Sequence, residues 1–211
     1  MCGRFTLDAT ATDLARHFKI EVDGNIPPRY NIAPSQPILV IKQDKAKASL
    51  DLMKWGLIPH WVKSLDSWKG NLINARAETV TEKPSFKGAF KYRPCLIPVS
   101  GFYEWTKDKQ PSYFQLQNSQ LFALAGLWES WQDELFSCTI LTTKANSQAA
   151  KIHHRMPIII PPQQYHQWLG KLDEREQLLA NLPQVDLQLY PVSKIVNSPK
   201  NDFPDCAAPV S

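Results

Sequence analysis

Seventeen prolines stand against eight glycines in this 211-residue chain, the reverse of the usual order. Each proline fixes φ at about −65° and withholds a backbone donor, so it interrupts helices and keeps strands short or at sheet edges. A chain punctuated in this way is expected to fold as short elements joined by rigid turns.

Between those breaks the hydrophobic pattern reads mostly as strand. Pro37–Gln43 and Ser49–Trp55 are β-rich runs separated by the polar Asp44–Ala48, which suggests a hairpin. Leu96–Val99 and Phe102–Thr106 follow. Tyr113–Gln117, Leu121–Trp128 and Leu135–Thr142 are then split by Asn118–Gln120 and Trp131–Glu134, as in an antiparallel meander. Met156–Ile160 and Leu187–Val192 are further strands. Helical spacing is confined to Asp8–Phe18, with Asp8 or Thr10 as cap and Leu14 and Phe18 on one face, and to Gln163–Leu169 and Asp173–Leu182. Asn197–Ser211, with its Asn-Asp-Phe-Pro turn, reads as an irregular, wrapping tail. One early helix, a long run of strands and late helices indicate an α+β fold of mainly antiparallel strands rather than a parallel βαβ fold. No repeat or low-complexity linker divides the chain, so 1–211 is expected to form one domain.

With 43% hydrophobic and 21% charged residues, the chain suits a compact domain or two small lobes sharing a core. No apolar run is long enough for a membrane span, and Met1–Leu7 lacks the layout of a secretory signal, so a cytoplasmic location is expected. Cys2, Cys95, Cys138 and Cys206 are widely spaced, with no CxxC pair or matching histidines. Reduced thiols are therefore expected, and neither a zinc site nor a disulfide framework. A net charge of +4 is compatible with a polyanionic partner without requiring one.

Among candidate reactive groups, Cys2 is the most suggestive. Removal of Met1 would leave an α-amine and a thiol on one carbon skeleton, a 1,2-aminothiol. Such amines titrate at about 7.7–8.0 and free thiols at about 8.5, so both nucleophiles are populated near neutrality. With an aldehyde the amine gives an imine, which the thiolate closes into a thiazolidine that resists hydrolysis. Taken alone, Cys2 is more simply an incidental residue of a frayed terminus. Glu104, in Gly-Phe-Tyr-Glu-Trp, is either an acid/base held in an aromatic strand or a carboxylate on an exposed strand face, and Phe102 should share its face. His153 and His154, in an extended run, would point in opposite directions, so that one at most faces a site. Asn74 and Arg76 alternate so as to face one side, where a sugar or phosphate would suit them, although a turn asparagine and a solvated arginine fit as well. Trp61 and Trp68, near Lys63 and Lys69, are either base-stacking rings or core.

These residues fall in an ordered series: Met-Cys-Gly-Arg-Phe at 1–5, Arg-Tyr-Asn-Ile-Ala-Pro at 29–34, Lys-Trp-Gly-Leu-Ile-Pro-His-Trp at 54–61, Asn-Ala-Arg-Ala-Glu at 74–78, Gly-Phe-Tyr-Glu-Trp at 101–105 and His-His-Arg-Met-Pro at 153–157. The series resembles the SRAP family, the SOS-response-associated peptidases or abasic-site-processing proteins, across nearly the whole chain. That resemblance implies a barrel-like core with flanking helices. It also implies a covalent link between Cys2, freed by autopeptidase removal of Met1, and the ring-opened aldehyde of an abasic site in single-stranded DNA, which shields the lesion. By the same resemblance Asn74 positions the terminus and the opened sugar, Glu104 is the acid/base, and His153 helps open the deoxyribose and shuttles protons, leaving His154 structural. Arg4 and Arg76 are implied as phosphate contacts, Thr142 as a backbone contact, and Pro34 with Trp61 as a wedge that splays the strand. Val62 departs from the pattern, since some relatives carry a second aromatic there. No cofactor, metal or membrane is implied; the expected partner is abasic single-stranded DNA, met by a monomer. Two other classes fit the residues alone: an N-terminal-nucleophile thiol peptidase acting on proteins, and a nucleic-acid-binding module in which Cys2 is inert.

Overall fold

The computed structural model describes residues 2–44, 47–117 and 121–210. Part of the turn expected at Asp44–Ala48, all of that at Asn118–Gln120, and Met1 and Ser211 lie outside the described residues. The first half of the chain forms β1 (Phe5–Leu7), α1 (Ala11–Phe18), β2 (Arg29–Ile32), β3 (Pro37–Asp44), β4 (Lys47–Trp55), β5 (Asn74–Arg76), α2 (Pro84–Tyr92), β6 (Pro94–Val99) and β7 (Gly101–Trp105). The second half adds β8 (Pro111–Leu116), β9 (Phe122–Trp131), β10 (Leu135–Lys144), β11 (Arg155–Pro157), β12 (Ile159–Ile160), α3 (Tyr165–Leu169), α4 (Leu172–Ala180) and β13 (Leu187–Pro191).

Two sheets result, in a mixed α+β fold dominated by strands. One has the order β13-β8-β7-β1-β2. In the other, β10-β4-β3-β6-β9 form a ring because β9 also pairs β10, a barrel-like arrangement extended by β5, β11 and β12. Pairing is antiparallel except at β10, which runs parallel to β4 and β5. The expected meander holds for β9 and β10 but not for β8, which pairs β7 and β13 instead. The edges of β9 are taken by β6 on one side and by β10 and β12 on the other, so β8 has no edge of β9 to join.

Local chemistry explains the helices. Thr10 and Asp13 form a reciprocal capping box, the Asp13 N–H donating to Thr10 Oγ1 at 3.1 Å, and Leu14 and Phe18 are buried beneath it. Sequence reasoning missed α2, which begins at Pro84 and buries Phe86, Ala89 and Phe90. That apolar spacing and the proline at the first position are the signals that mark it. The fully buried Arg175 joins α2, α3 and α4 by donating to the carbonyls of Phe90, Gly170 and Trp168 at 2.7–2.8 Å. The tail wraps as expected: the Asp202 carboxylate accepts from the Tyr30 and Asn31 N–H groups, and Asn31 Nδ2 donates to the carbonyls of Val196, Ser198 and Asn201. This seam anchors β2 and, through it, the strand that follows Cys2.

Candidate active site and nucleic-acid interface

Cys2 lies three residues before β1, between two elements that each bring a polar side chain to it. On one side β7 pairs with β1, with Phe5 opposite Phe102 and the Tyr103 N–H donating to the Arg4 carbonyl at 2.9 Å, which carries Glu104 alongside the terminal segment. On the other, β5 lies parallel to β10 and presents Asn74, whose Nδ2 donates to the Cys2 carbonyl at 2.8 Å. Asn74 Oδ1 is buried and has no hydrogen-bond partner among the described residues, so an acceptor faces this site with its capacity unused.

The electrostatics follow from burial. Glu104 is only 4% exposed, and desolvation pushes its carboxyl up to about 7, opposed by the positive charge of the amino terminus. A carboxyl so poised can accept or release a proton near neutrality. The Cys2 thiol is fully buried and is pushed well up, first by desolvation and then by the charge of Glu104. With Met1 still attached, the buried sulfur therefore holds its proton near neutral pH. Phe102 and Tyr103 are buried as well as Glu104, so β7 shows no exposed face and its alternation is invisible in burial.

His153 leads into β11, which flanks β10 on the side opposite β5. Its ring is half-buried and its Nδ1 is tethered to the Arg155 backbone, 3.0 Å from the N–H, while burial lowers its affinity for a proton. The two histidines do not sit in a strand, contrary to expectation. The His153 N–H closes a turn onto the Ala149 carbonyl, and the rings of His153 and His154 lie side by side with centroids 4.3 Å apart.

Arg76 is exposed two residues beyond Asn74, as the strand period demands. Its charge and those of Arg155 and His153 all act on the exposed His154, which marks a local positive surface. Arg155 was not singled out by sequence reasoning, although it lies in the His-His-Arg-Met-Pro motif. It grips Glu78 through two bonds of 2.7 and 3.0 Å and donates to the Thr142 carbonyl and hydroxyl. Thr142 itself is fully buried, with β5 and β11 on either side, so it stands behind this surface rather than on it. Arg4 is half-buried, its Nη1 donating to Asn31 Oδ1 and to the Val196 carbonyl at 2.7 Å each, and it is first of all a tie between β1 and the tail.

Pro34 precedes Ser35, and Trp61 meets Trp68, two residues that line a recess of their own. Trp61 is 49% exposed and meets Trp68 edge-on at 5.9 Å. Val62 is buried, so the second ring of this region comes from Trp68 rather than from position 62. The loop is held from below: Glu129 accepts from His60 and Arg93, the Ile58 N–H donates to Ser137 Oγ, and Trp131 Nε1 donates to the Val62 carbonyl. Among the described residues no cluster of histidine, cysteine and acidic side chains suits a metal ion, all four cysteines are free, and no helix is long and apolar enough to cross a membrane.

Known proteins resemble the chain over nearly its whole length. A family model described as SOS response associated peptidase (SRAP) matches residues 1–199. The abasic site processing protein YoqW of Bacillus subtilis is 42% identical, with 97% of this chain and 98% of that protein covered. The abasic site processing protein HMCES of Gallus gallus is 31% identical over 89% of this chain and 68% of its own length. A crystal structure of a Bacteroides thetaiotaomicron protein superposes with a TM-score of 0.86 over the full length of both chains at 24% identity, which speaks to the fold alone.

Proposed function

The chain belongs to the SOS response associated peptidase (SRAP) family, and from that premise we propose that it binds and processes abasic sites in DNA, capturing them covalently through Cys2 once Met1 has been removed. The observation that carries this reading is the convergence on Cys2 of the Asn74 amide, which donates to its carbonyl, and the Glu104 carboxyl, whose charge acts on its thiol.

The chemistry runs amine first. Hydrolysis of the Met1–Cys2 peptide bond, with Glu104 relaying the proton, frees the Cys2 nitrogen while Asn74 holds the Cys2 carbonyl. His153 assists opening of the deoxyribose, exposing its C1 aldehyde. The amine adds to that carbon, and the carbinolamine oxygen departs as water with a proton from Glu104, leaving an imine. The Cys2 sulfur then adds to the imine carbon while its proton passes to the nitrogen, closing the thiazolidine. A raised carboxyl suits both proton transfers, because it is divided between its two forms near neutral pH.

The DNA is single-stranded and is met by a monomer. Arg76 and Arg155, together with the free edge of Arg4, neutralise phosphates around the lesion, and Thr142 acts by orienting Arg155. Pro34 and Trp61 splay the neighbouring bases. Intact-mass spectrometry tests the proposal. Protein incubated with abasic single-stranded DNA should lose Met1 and gain the mass of the DNA less one water, in a product that survives denaturation. Cys2→Ala and Cys2→Ser keep the amine but lose ring closure, so neither should give an adduct that survives denaturation, and Cys2→Ser at most a reversible imine trapped by borohydride. No adduct with the unsubstituted protein, or an equal yield with Cys2→Ala, overturns the reading.

A further inference from the structure

The recess beside Pro34 and Trp61 has a construction of its own. It is a small cavity of about 140 Å³ between the turn at Ser35 and the loop at Trp68, with Lys54, Gly56 and Asn71 completing its polar lining. Its walls are kept in uncommon backbone states. Ser35 sits at φ 71°, its N–H donating to the Trp55 carbonyl at 2.8 Å, and Gly56 sits at φ 130°. Trp68 folds across Gly70 so closely that a Cβ at position 70 would lie 2.1 Å from the indole. Left-handed conformations at non-glycine residues persist where the surroundings over-determine them, and they gather at ligand clamps.

The lining describes a class of occupant. An aromatic wall, a carboxamide able both to donate and accept, a hydroxyl and one lysine suit a planar heterocycle with polar edges joined to a phosphate. Asn71 precedes Asn74 by three residues, at most about 10 Å of extended chain, so the recess lies within about one or two nucleotides of the Cys2 carbonyl that Asn74 holds.

We infer that this recess is a binding pocket for one nucleobase adjoining the lesion, stacked on Trp68 with its edge met by Asn71 and Ser35 and its phosphate by Lys54. The inference rests on the proposed function, and it adds a base-holding site to a protein whose target is a nucleotide that lacks its base. Unstacked bases beside the lesion thereby gain a defined place instead of competing for the exposed face of Trp61.

The test is a cycle between base and pocket. Half-saturation of capture is measured on single-stranded DNA with one abasic site, each neighbouring nucleotide in turn being intact or replaced by a non-reactive analogue that lacks only the base. For the unsubstituted protein, deleting the base that fills the recess should raise the half-saturating concentration about tenfold, the size of one stacked base. In Trp68→Ala, and in Asn71→Ala, which leaves the indole in place, the same deletion should cost less than about threefold, because the two changes share one interaction. Equal losses in all three proteins on both sides of the lesion, with capture still occurring, overturn the pocket alone. Absence of capture in every arm overturns the pocket together with the function on which it rests.

Discussion

Glu104 and Glu129 lie at the same depth, 4% and 3% exposed, one in each sheet, and the protein treats them oppositely. Glu129 is surrounded by donors: Arg93 Nη2 at 2.8 Å and His60 Nδ1 at 3.2 Å reach one oxygen, and the Ser130 N–H reaches the other. Glu104 has Phe102, Tyr103 and Trp105 as its strand neighbours, and there burial outweighs the attraction of the amino terminus and lifts the carboxyl to about 7. Depth alone therefore does not decide how a buried carboxylate is used; at Glu104 desolvation outweighs the partners it has.

The largest expected effect separates the two in activity. Glu104→Gln keeps the shape and removes the titration, so capture of abasic DNA should slow by about 10²–10⁴-fold, the usual worth of a positioned acid/base. Stability should move the other way. The folded Glu104 keeps its proton up to about pH 7, whereas an unfolded glutamate releases it at about 4.5, so over that window the native state binds more protons and becomes less stable as pH rises. The difference in unfolding free energy between the parent and Glu104→Gln, followed by urea denaturation from pH 4 to 8, should change by up to about 3 kcal/mol in favour of the variant. A pH-independent difference would show that Glu104 titrates normally and break the contrast.

Glu129→Ala comes next, and its effect is on folding. It leaves the Arg93 guanidinium, whose side chain is 26% exposed, without its carboxylate, and should cost about 3 kcal/mol in chemical denaturation. Small-aldehyde capture at Cys2, measured below the new melting temperature, should survive. Loss of that chemistry with folding intact would make Glu129 part of the reacting site.

How far these roles could be read in the sequence depends on whether the pattern was local. Asn74 and Arg76 were legible because a strand period of two fixes their relation, and Glu104 because a carboxylate among aromatic residues must be either protonated or paired. The placement of Thr10, Leu14 and Phe18 in α1 followed from capping and spacing. What failed needed tertiary partners. His153 and His154 looked extended because Arg155–Pro157 is a strand, yet the strand begins just after them. The contact of Arg155 with Glu78 joins residues 77 apart, and the buried place of Thr142 follows from β5 running parallel to β10, which no hairpin signal announces. The recess at Ser35 and Gly70 depends on a backbone turn and a folded-back indole, neither of which has a periodic signature.

The smallest effect sharpens the comparison at its edge. His60 also touches Glu129, but its side chain is 61% exposed, so water competes for both partners and holding the pair together costs side-chain entropy. Its removal leaves Arg93 and the Ser130 N–H still bonded to the carboxylate, and leaves the Trp61 loop pinned through the Ile58 N–H to Ser137 Oγ and through Trp131 Nε1 to the Val62 carbonyl. His60→Ala should therefore cost no more than about 1 kcal/mol of stability, well below Glu129→Ala measured in the same denaturant series. If the two substitutions cost the same, Arg93 is not what fixes Glu129, the imidazole is, and the contrast between a carboxylate held chiefly by a permanent cation and one governed chiefly by its burial loses its basis.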